Sequence, residues 1–275
     1  RVKEIRDEST EEFHREIKLM AALRHPNIVP FYGACIEAGK YSLVMAYMPK
    51  GSLYHVLHST QELPWNVRYK IAKGVVRGLE YLHDNGILHG DLKSPNVLLN
   101  RAYDATLSDF GLSKIKEETT KASEATERDE RSERGERNER KVKGTLLWMS
   151  PELLLSSQSA DKKMAEIYAL GIILWEIAAR KIPYIDLPND ETIRRRIIGG
   201  TKEKIPEEVE REYPFYAKLI KWCWDQDPKK RPTIKEAAKL LQQNPFEDEV
   251  EDEETFIGED GIDSVAIYQL GATKK

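Results

Sequence analysis

Between Ile87 and Gly111 the chain reads ILHGDLKSPNVLLNRAYDATLSDFG. Four side chains in this window could do chemistry together. Asp91 is a carboxylate able to accept or orient the proton of a hydroxyl. Lys93, two residues on, carries a fixed positive charge. Asn96 and Asp109 offer hard oxygen donors of the kind Mg2+ prefers when it is shared with the phosphates of a nucleotide. A base, a cation and two oxygen ligands are the parts that phosphoryl transfer asks of a protein, because that reaction needs in-line positioning and charge neutralisation more than covalent help. The competing reading makes all four turn and cap residues. Four matches to one spacing within a single short window weigh against it.

These residues need elements to hold them. Upstream, Trp65 to His83 carries Val67, Ile71, Val75, Leu79 and Leu82 as the stripe of a buried helix, with Gly86 placed for a C-terminal cap. Glu11 to Leu23 is amphipathic through Phe13, Ile17, Met20 and Leu23, and Pro26 ends it. Asn27–Ile36 and Tyr41–Met48 read as adjacent strands broken by Gly39. Downstream, Ile172, Leu174, Trp175 and Ile177 belong to a helix apolar on most of its surface, hence central in the core. Residues 116–143 are low-complexity, with Glu-Arg at period three from Glu127-Arg128 to Glu139-Arg140. That period builds no amphipathic face, so disorder is expected there.

Composition sets outer limits. With 40% hydrophobic residues the chain can bury a core. It has no run of 18 apolar residues that could cross a membrane. Cys35 and Cys223 stand far apart with no metal-ligand spacing, which predicts reduced thiols in a cytoplasmic protein and leaves open an anchor upstream of Arg1. The net charge of −4 is uneven. Residues 244–275 hold ten acidic residues against two lysines, −8 in all, so the body is +4. An acidic stretch of this kind predicts a disordered tail.

The window resembles the catalytic loop and Asp-Phe-Gly of eukaryotic-type protein kinases. Other pieces lie in the expected order: RHPNIVPFYG, LVMAYMPKGSL, KGTLLWMSPE and WCWDQDPKKRPT. The chain is similar to the tyrosine-kinase-like group of Ser/Thr kinases, which includes the receptor-interacting kinases. That resemblance implies an α+β, bilobal kinase fold. Residues 1–48 would be a truncated β-rich small lobe (third strand, helix, fourth and fifth strands). Residues 49–243 would be a mainly helical large lobe with 116–143 inserted in the activation segment, and 244–275 the tail. It implies ATP and Mg2+ as cofactors, with Asn96 and Asp109 as the metal ligands. Lys3 would hold the α- and β-phosphates and Glu16 would pair with it. Met45 would be the gatekeeper, Ala46 to Met48 the adenine-binding hinge, and Leu98 the floor of the adenine pocket. Met20, Phe31, His89 and Phe110 would stack as a spine. Thr145 would bond the catalytic aspartate and lysine, and Glu152 would pair with buried Arg231. The implied activity is transfer of the γ-phosphate of ATP to serine or threonine of protein substrates. A kinase dimer or an upstream regulatory domain would be the candidate regulator, with no nucleic-acid partner.

Three departures qualify this. No glycine-rich phosphate loop is present, which reads as truncation before Lys3 and predicts poor activity of the chain as it stands. It also predicts that Ile28, Phe31, Leu43 and Met45 are partly uncovered beside an open sheet edge. Gly90 replaces the arginine that commonly receives an activation-loop phosphate. Glu166 stands where kinases usually place an aspartate that bonds the catalytic-loop backbone, and its extra methylene must be accommodated. These departures define the alternative reading, a pseudokinase acting as a nucleotide-binding switch or scaffold.

Overall fold

The computed structural model describes residues 17–18, 20–37, 40–110, 145–155, 160–242 and 265–270, with the last six, 35–37 and 40–42 described by backbone alone. Lys3, Glu16 and the Glu-Arg insert expected to be disordered lie outside the described residues. The architecture is α+β. Two three-stranded sheets precede and flank a mainly helical region.

The first sheet begins with a hairpin, β1 (Phe31–Glu37) and β2 (Lys40–Ala46), antiparallel from Phe31↔Met45 to Glu37↔Lys40. Both strands start or end a few residues from where the apolar runs suggested. Before β1, helical backbone occupies 17–18 and 20–22 of the amphipathic stretch. The second sheet contains β3 (Gly51–Ser52), β4 (Val97–Leu99) and β5 (Ala105–Leu107), with β4 central and antiparallel to both neighbours.

Two expectations meet a different outcome. Ile28, Phe31, Leu43 and Met45 are all buried. The outer edge of β2 is not open, because β6 (Val265–Leu270) pairs with it antiparallel from Tyr41↔Leu270 to Ala46↔Val265. These six residues lie in the stretch expected to be a disordered tail. They carry no charge and are mostly apolar, so they meet the requirements of a strand even though their surroundings are strongly acidic.

Short α1 (Leu53–Leu57) is capped by Ser52 and leads to α2 (Trp65–Asp84). Ile71, Val75, Leu79 and Leu82 of the foreseen stripe are fully buried. Gly78 sets how closely α2 meets β5. A Cβ there would lie 2.7 Å from the Asn27 carbonyl oxygen and 3.0 Å from Leu107 Cγ.

Beyond the active-site segments come α3 (Pro151–Leu154) and α4 (Lys162–Ala179). They are followed by α5 (Asp190–Ile198), α6 (Glu207–Glu212), α7 (Pro214–Cys223) and α8 (Ile234–Leu241). Asp161 caps α4 by accepting from the Lys163 and Met164 amides. Every residue of α4 from Ala165 to Ala178 is buried, which makes it the central rod of the helical region. Trp175 anchors it with an indole N–H to the Lys204 carbonyl at 2.9 Å. Loss of this side chain would cost roughly 3–5 kcal/mol. Cys223 is a free, buried thiol.

Candidate active site

Local geometry gathers the four residues of the opening window. After α2, Gly86 turns the chain at φ +72°, and the Ile87 amide donates to the Leu82 carbonyl. Lys93 is extended, and Ser94–Asn96 form one 3-10 turn leading into β4. The β4–β5 hairpin then returns, closed by the Asn100 side chain, whose Nδ2 donates to Asp104 Oδ2 and whose Oδ1 accepts from the Asp104 amide. Its return places Ser108 beside Asn96. The Ser108 amide and hydroxyl both donate to the Asn96 carbonyl, at 2.9 and 3.0 Å. Asn96 and Asp109 therefore sit at one end of the hairpin. The hairpin is itself fixed on the segment before β1, since Leu107 N donates to Asn27 O and Val29 N to Leu107 O.

Asp91 and its neighbours form a connected set. Lys93 Nζ lies 2.8 Å from Asp91 Oδ2, and Asn96 Nδ2 donates to the same oxygen at 3.1 Å and to the Asp91 carbonyl at 2.8 Å. Lys93 Nζ also donates to Thr145 Oγ1 at 2.9 Å. Both donors meet Oδ2. Asp91 and Lys93 are each 15% exposed, so their pairing is shielded from bulk water without being sealed off.

Asp109 has a left-handed backbone, φ +59°, an uncommon state for a residue other than glycine. Phe110 follows it into the core and meets His89 edge to face, with centroids 6.3 Å apart. Burial lowers the His89 pKa, and Nδ1 accepts from the Asp91 amide at 3.3 Å. Met20 and Phe31 are buried in the same core.

The residue set suits Mg2+. An amide oxygen and a carboxylate are hard donors, and magnesium is commonly held by one or two protein groups with the rest of its shell supplied by phosphates and water. No cluster of three or more His, Cys, Asp or Glu able to hold a metal occurs among the described residues.

On the other side of the hairpin, Met45 is buried at the end of β2, Ala46 and Met48 are half-buried, and Leu98 is half-buried at the middle of β4. The Ala46 amide donates to Pro30 O and the Gly51 amide to Met48 O, which fixes the turn between the two sheets.

Two glutamates of α4 reach the catalytic loop. Glu166 takes up its extra methylene by bridging two donors: the Gly90 amide at 2.7 Å to Oε1, and His83 Nε2 at 2.7 Å to Oε2. Gly90 has φ +82°, where glycine is unstrained. One helical stretch on, Glu176 accepts from Ser94 Oγ at 2.8 Å and Trp148 Nε1 at 2.7 Å. Sequence reasoning named Glu166 but not His83, Ser94, Trp148 or Glu176. The signal for Glu176 was a carboxylate within an otherwise apolar helix.

A second long-range pair joins Glu152 and Arg231. Arg231 Nη1 and Nη2 lie 2.6 and 2.9 Å from the two Glu152 oxygens, a two-pronged pair with the arginine side chain wholly buried. Arg231 also donates to the carbonyls of Asp225 and Met164 and stacks over Tyr168. Burial alone would raise the Glu152 carboxyl, but the hydrogen bonds and charge of Arg231, with a backbone amide and Ser150, together outweigh it and leave the pKa lowered.

A sequence model of the protein kinase domain matches residues 1–244. The chain belongs to the protein kinase family. Among its relatives are serine/threonine-protein kinase CTR1 of Arabidopsis thaliana, 34% identical over 240 residues, and the probable serine/threonine-protein kinase drkB of Dictyostelium discoideum, 34% over 241. Human receptor-interacting serine/threonine-protein kinase 1 is 32% identical over 249 residues. These alignments cover 86%, 86% and 90% of the chain but only 27%, 32% and 37% of those proteins. No helix among the described residues of this kinase chain is long and apolar enough to cross a membrane.

Proposed function

We propose that this kinase domain transfers the γ-phosphate of ATP to serine or threonine hydroxyls of protein substrates. The observation that carries the reading is the set Asp91, Lys93, Asn96 and Thr145, bonded to one another at 2.8–3.1 Å. Asp91 takes the proton of the acceptor hydroxyl. Lys93 holds the Asp91 carboxylate in place and faces the phosphate charge. Thr145 fixes Lys93 from the activation segment, the lysine half of the contact expected of a Ser/Thr enzyme; no bond from Thr145 to Asp91 is seen among the described residues. Asn96 and Asp109 would hold Mg2+. The bound ion would neutralise charge on the phosphate oxygens. Met45, the Ala46–Met48 turn and Leu98 would receive adenine, while Lys3 and Glu16 would anchor the α- and β-phosphates. We place the enzyme in the cytoplasm, under control of a dimer or an additional domain. The relatives' names, all Ser/Thr kinases, support the acceptor class.

The test is phosphorylation of a mixed peptide library by Mg-ATP, read by mass spectrometry. Phosphoserine and phosphothreonine are expected. Asp91→Ala and Asp109→Ala should each lose at least about a hundredfold in rate, the usual scale for positioned acid–base and charge-stabilising groups. Phosphotyrosine alone, or an Asp109→Ala protein as fast as its parent, refutes the proposal.

A further inference from the structure

The inward positions of α4 are apolar except for two carboxylates, and Glu176 is the more deeply placed, with no exposed surface. Burial pushes its carboxyl up to about 8, because no cation compensates the loss of water and only the Trp148 and Ser94 hydrogen bonds oppose it. A carboxyl buried without a cation is a costly way to fill such a position, and an apolar side chain of the same size would pack as well if its two partners were apolar too. The presence of a carboxyl needs another account, and its two contacts supply one.

Ser94, also without exposed surface, opens the 3-10 turn that ends at Asn96. Trp148 is 3% exposed and belongs to the turn that starts at Thr145, since the Trp148 amide donates to the Thr145 carbonyl at 3.2 Å. One side chain thus touches the turn that presents Asn96 and the turn that presents Thr145. Asn96 bonds Asp91, and Thr145 bonds Lys93. Their segments lie 82 and 28 residues from Glu176 in sequence and have no reason to share a register unless something couples them.

We infer that Glu176 is a positioning residue for phosphoryl transfer: it ties the Ser94–Asn96 turn to the Thr145–Trp148 turn, so that catalytic loop and activation segment close as one unit. The inference rests on the phosphotransfer reading above. Its action runs through Ser94 and Trp148, and Glu176 itself meets neither nucleotide nor acceptor. Substituting glutamine preserves the coupling, since the amide oxygen can accept from Trp148 and the amide nitrogen can donate to Ser94 Oγ. Methionine fills the same volume and abolishes both bonds.

The experiment compares Glu176→Gln, Glu176→Met, Ser94→Ala and Trp148→Phe with the parent chain. Steady-state kinetics are measured for ATP and for a peptide found in the library screen. Amide hydrogen exchange is measured at Asn96, Trp148 and Met149. Glu176→Met strands the buried Ser94 hydroxyl and Trp148 indole N–H, so a modest fall in melting temperature is expected, together with a loss of at least about tenfold in kcat in the folded protein, since small misplacements of reacting groups are costly. Its KM for ATP should stay near the parental value, and exchange should accelerate at both turns. Glu176→Gln should restore kcat and protection. Ser94→Ala should reproduce the kcat loss, and Trp148→Phe should raise the peptide KM. A folded Glu176→Met protein with parental kinetics and parental exchange overturns the inference. If Glu176→Met does not fold, Ser94→Ala and Trp148→Phe decide it, and parental kinetics in both overturn it. A parent chain that transfers no phosphate while Glu176→Met loses protection at both turns refutes the catalytic reading and leaves the coupling standing.

Discussion

Replacing Arg231 with leucine should be among the most damaging single changes in the helical region. The substitution removes both prongs to Glu152 and the bonds to the Asp225 and Met164 carbonyls, and it strands a carboxylate that is only 13% exposed. Breaking a buried pair by deleting one partner costs about 3–5 kcal/mol. For a domain of this size each kcal/mol moves Tm by about 2–4 °C, so a fall of roughly 6–20 °C is expected. Scanning calorimetry at neutral pH measures it. Glu152→Gln should be milder because an amide still accepts from Arg231, and the double variant should recover part of the Arg231→Leu loss, revealing coupling. The pH dependence follows from the lowered Glu152 pKa. The carboxylate binds its proton less readily in the folded chain than at the ordinary 4.5. Its stabilisation is therefore complete above that value and is lost as pH falls through the folded value. The Arg231→Leu deficit should shrink in acid accordingly. A deficit below about 1 kcal/mol at neutral pH, the scale of an exposed pair, would refute the claim that this contact acts as a buried one.

Gly78→Ala should push β5 and the Asn27 segment off α2, since the added methyl meets a backbone oxygen at 2.7 Å. A Tm loss of about 1–3 kcal/mol equivalent with weakened Mg-ATP binding, measured by calorimetry, is expected. Glu176 titrates with the opposite sign to Glu152. Its pKa rises from 4.5 to about 8, so its contribution is full below 4.5 and lost as pH rises to about 8, and the parent should fall behind Glu176→Gln in Tm between pH 5 and pH 8.5. Ile267→Pro should break the β6 ladder and expose the edge of β2, with self-association seen by light scattering. A variant that stays monodisperse at every concentration contradicts the role given to β6.

Much of this was legible in the residues. The Asp91–Asp109 window could be read as a set for phosphoryl transfer because that reaction needs few groups at fixed spacing, and the structure gathers Asp91, Lys93 and Asn96; the stripe of α2 declared its helix because burial is periodic. Glu152 and Arg231, 79 residues apart, could be paired only through resemblance, because no local pattern links them. Glu176 escaped notice because its meaning lies in contacts across 82 residues of chain. β6 escaped because charge was averaged over the whole of residues 244–275, and six uncharged residues vanish in such an average. What sequence conveys best is what is local or periodic. A long-range bond leaves its trace only as a residue out of keeping with its neighbours.

The two glutamates of α4 act together as a gauge. Glu166 holds Gly90 and Glu176 holds Ser94. Both ends of the Gly90–Ser94 stretch are thus tied to one helix, with bends at Gly90, Asp91 and Lys93 between the ties. Asp91 and Lys93 lie on the portion between them, so any movement of α4 carries both ends of that portion together. It follows that the loop is length-critical. One residue inserted between Gly90 and Ser94 would leave every named side chain present and every tie intact, yet let Asp91 drift.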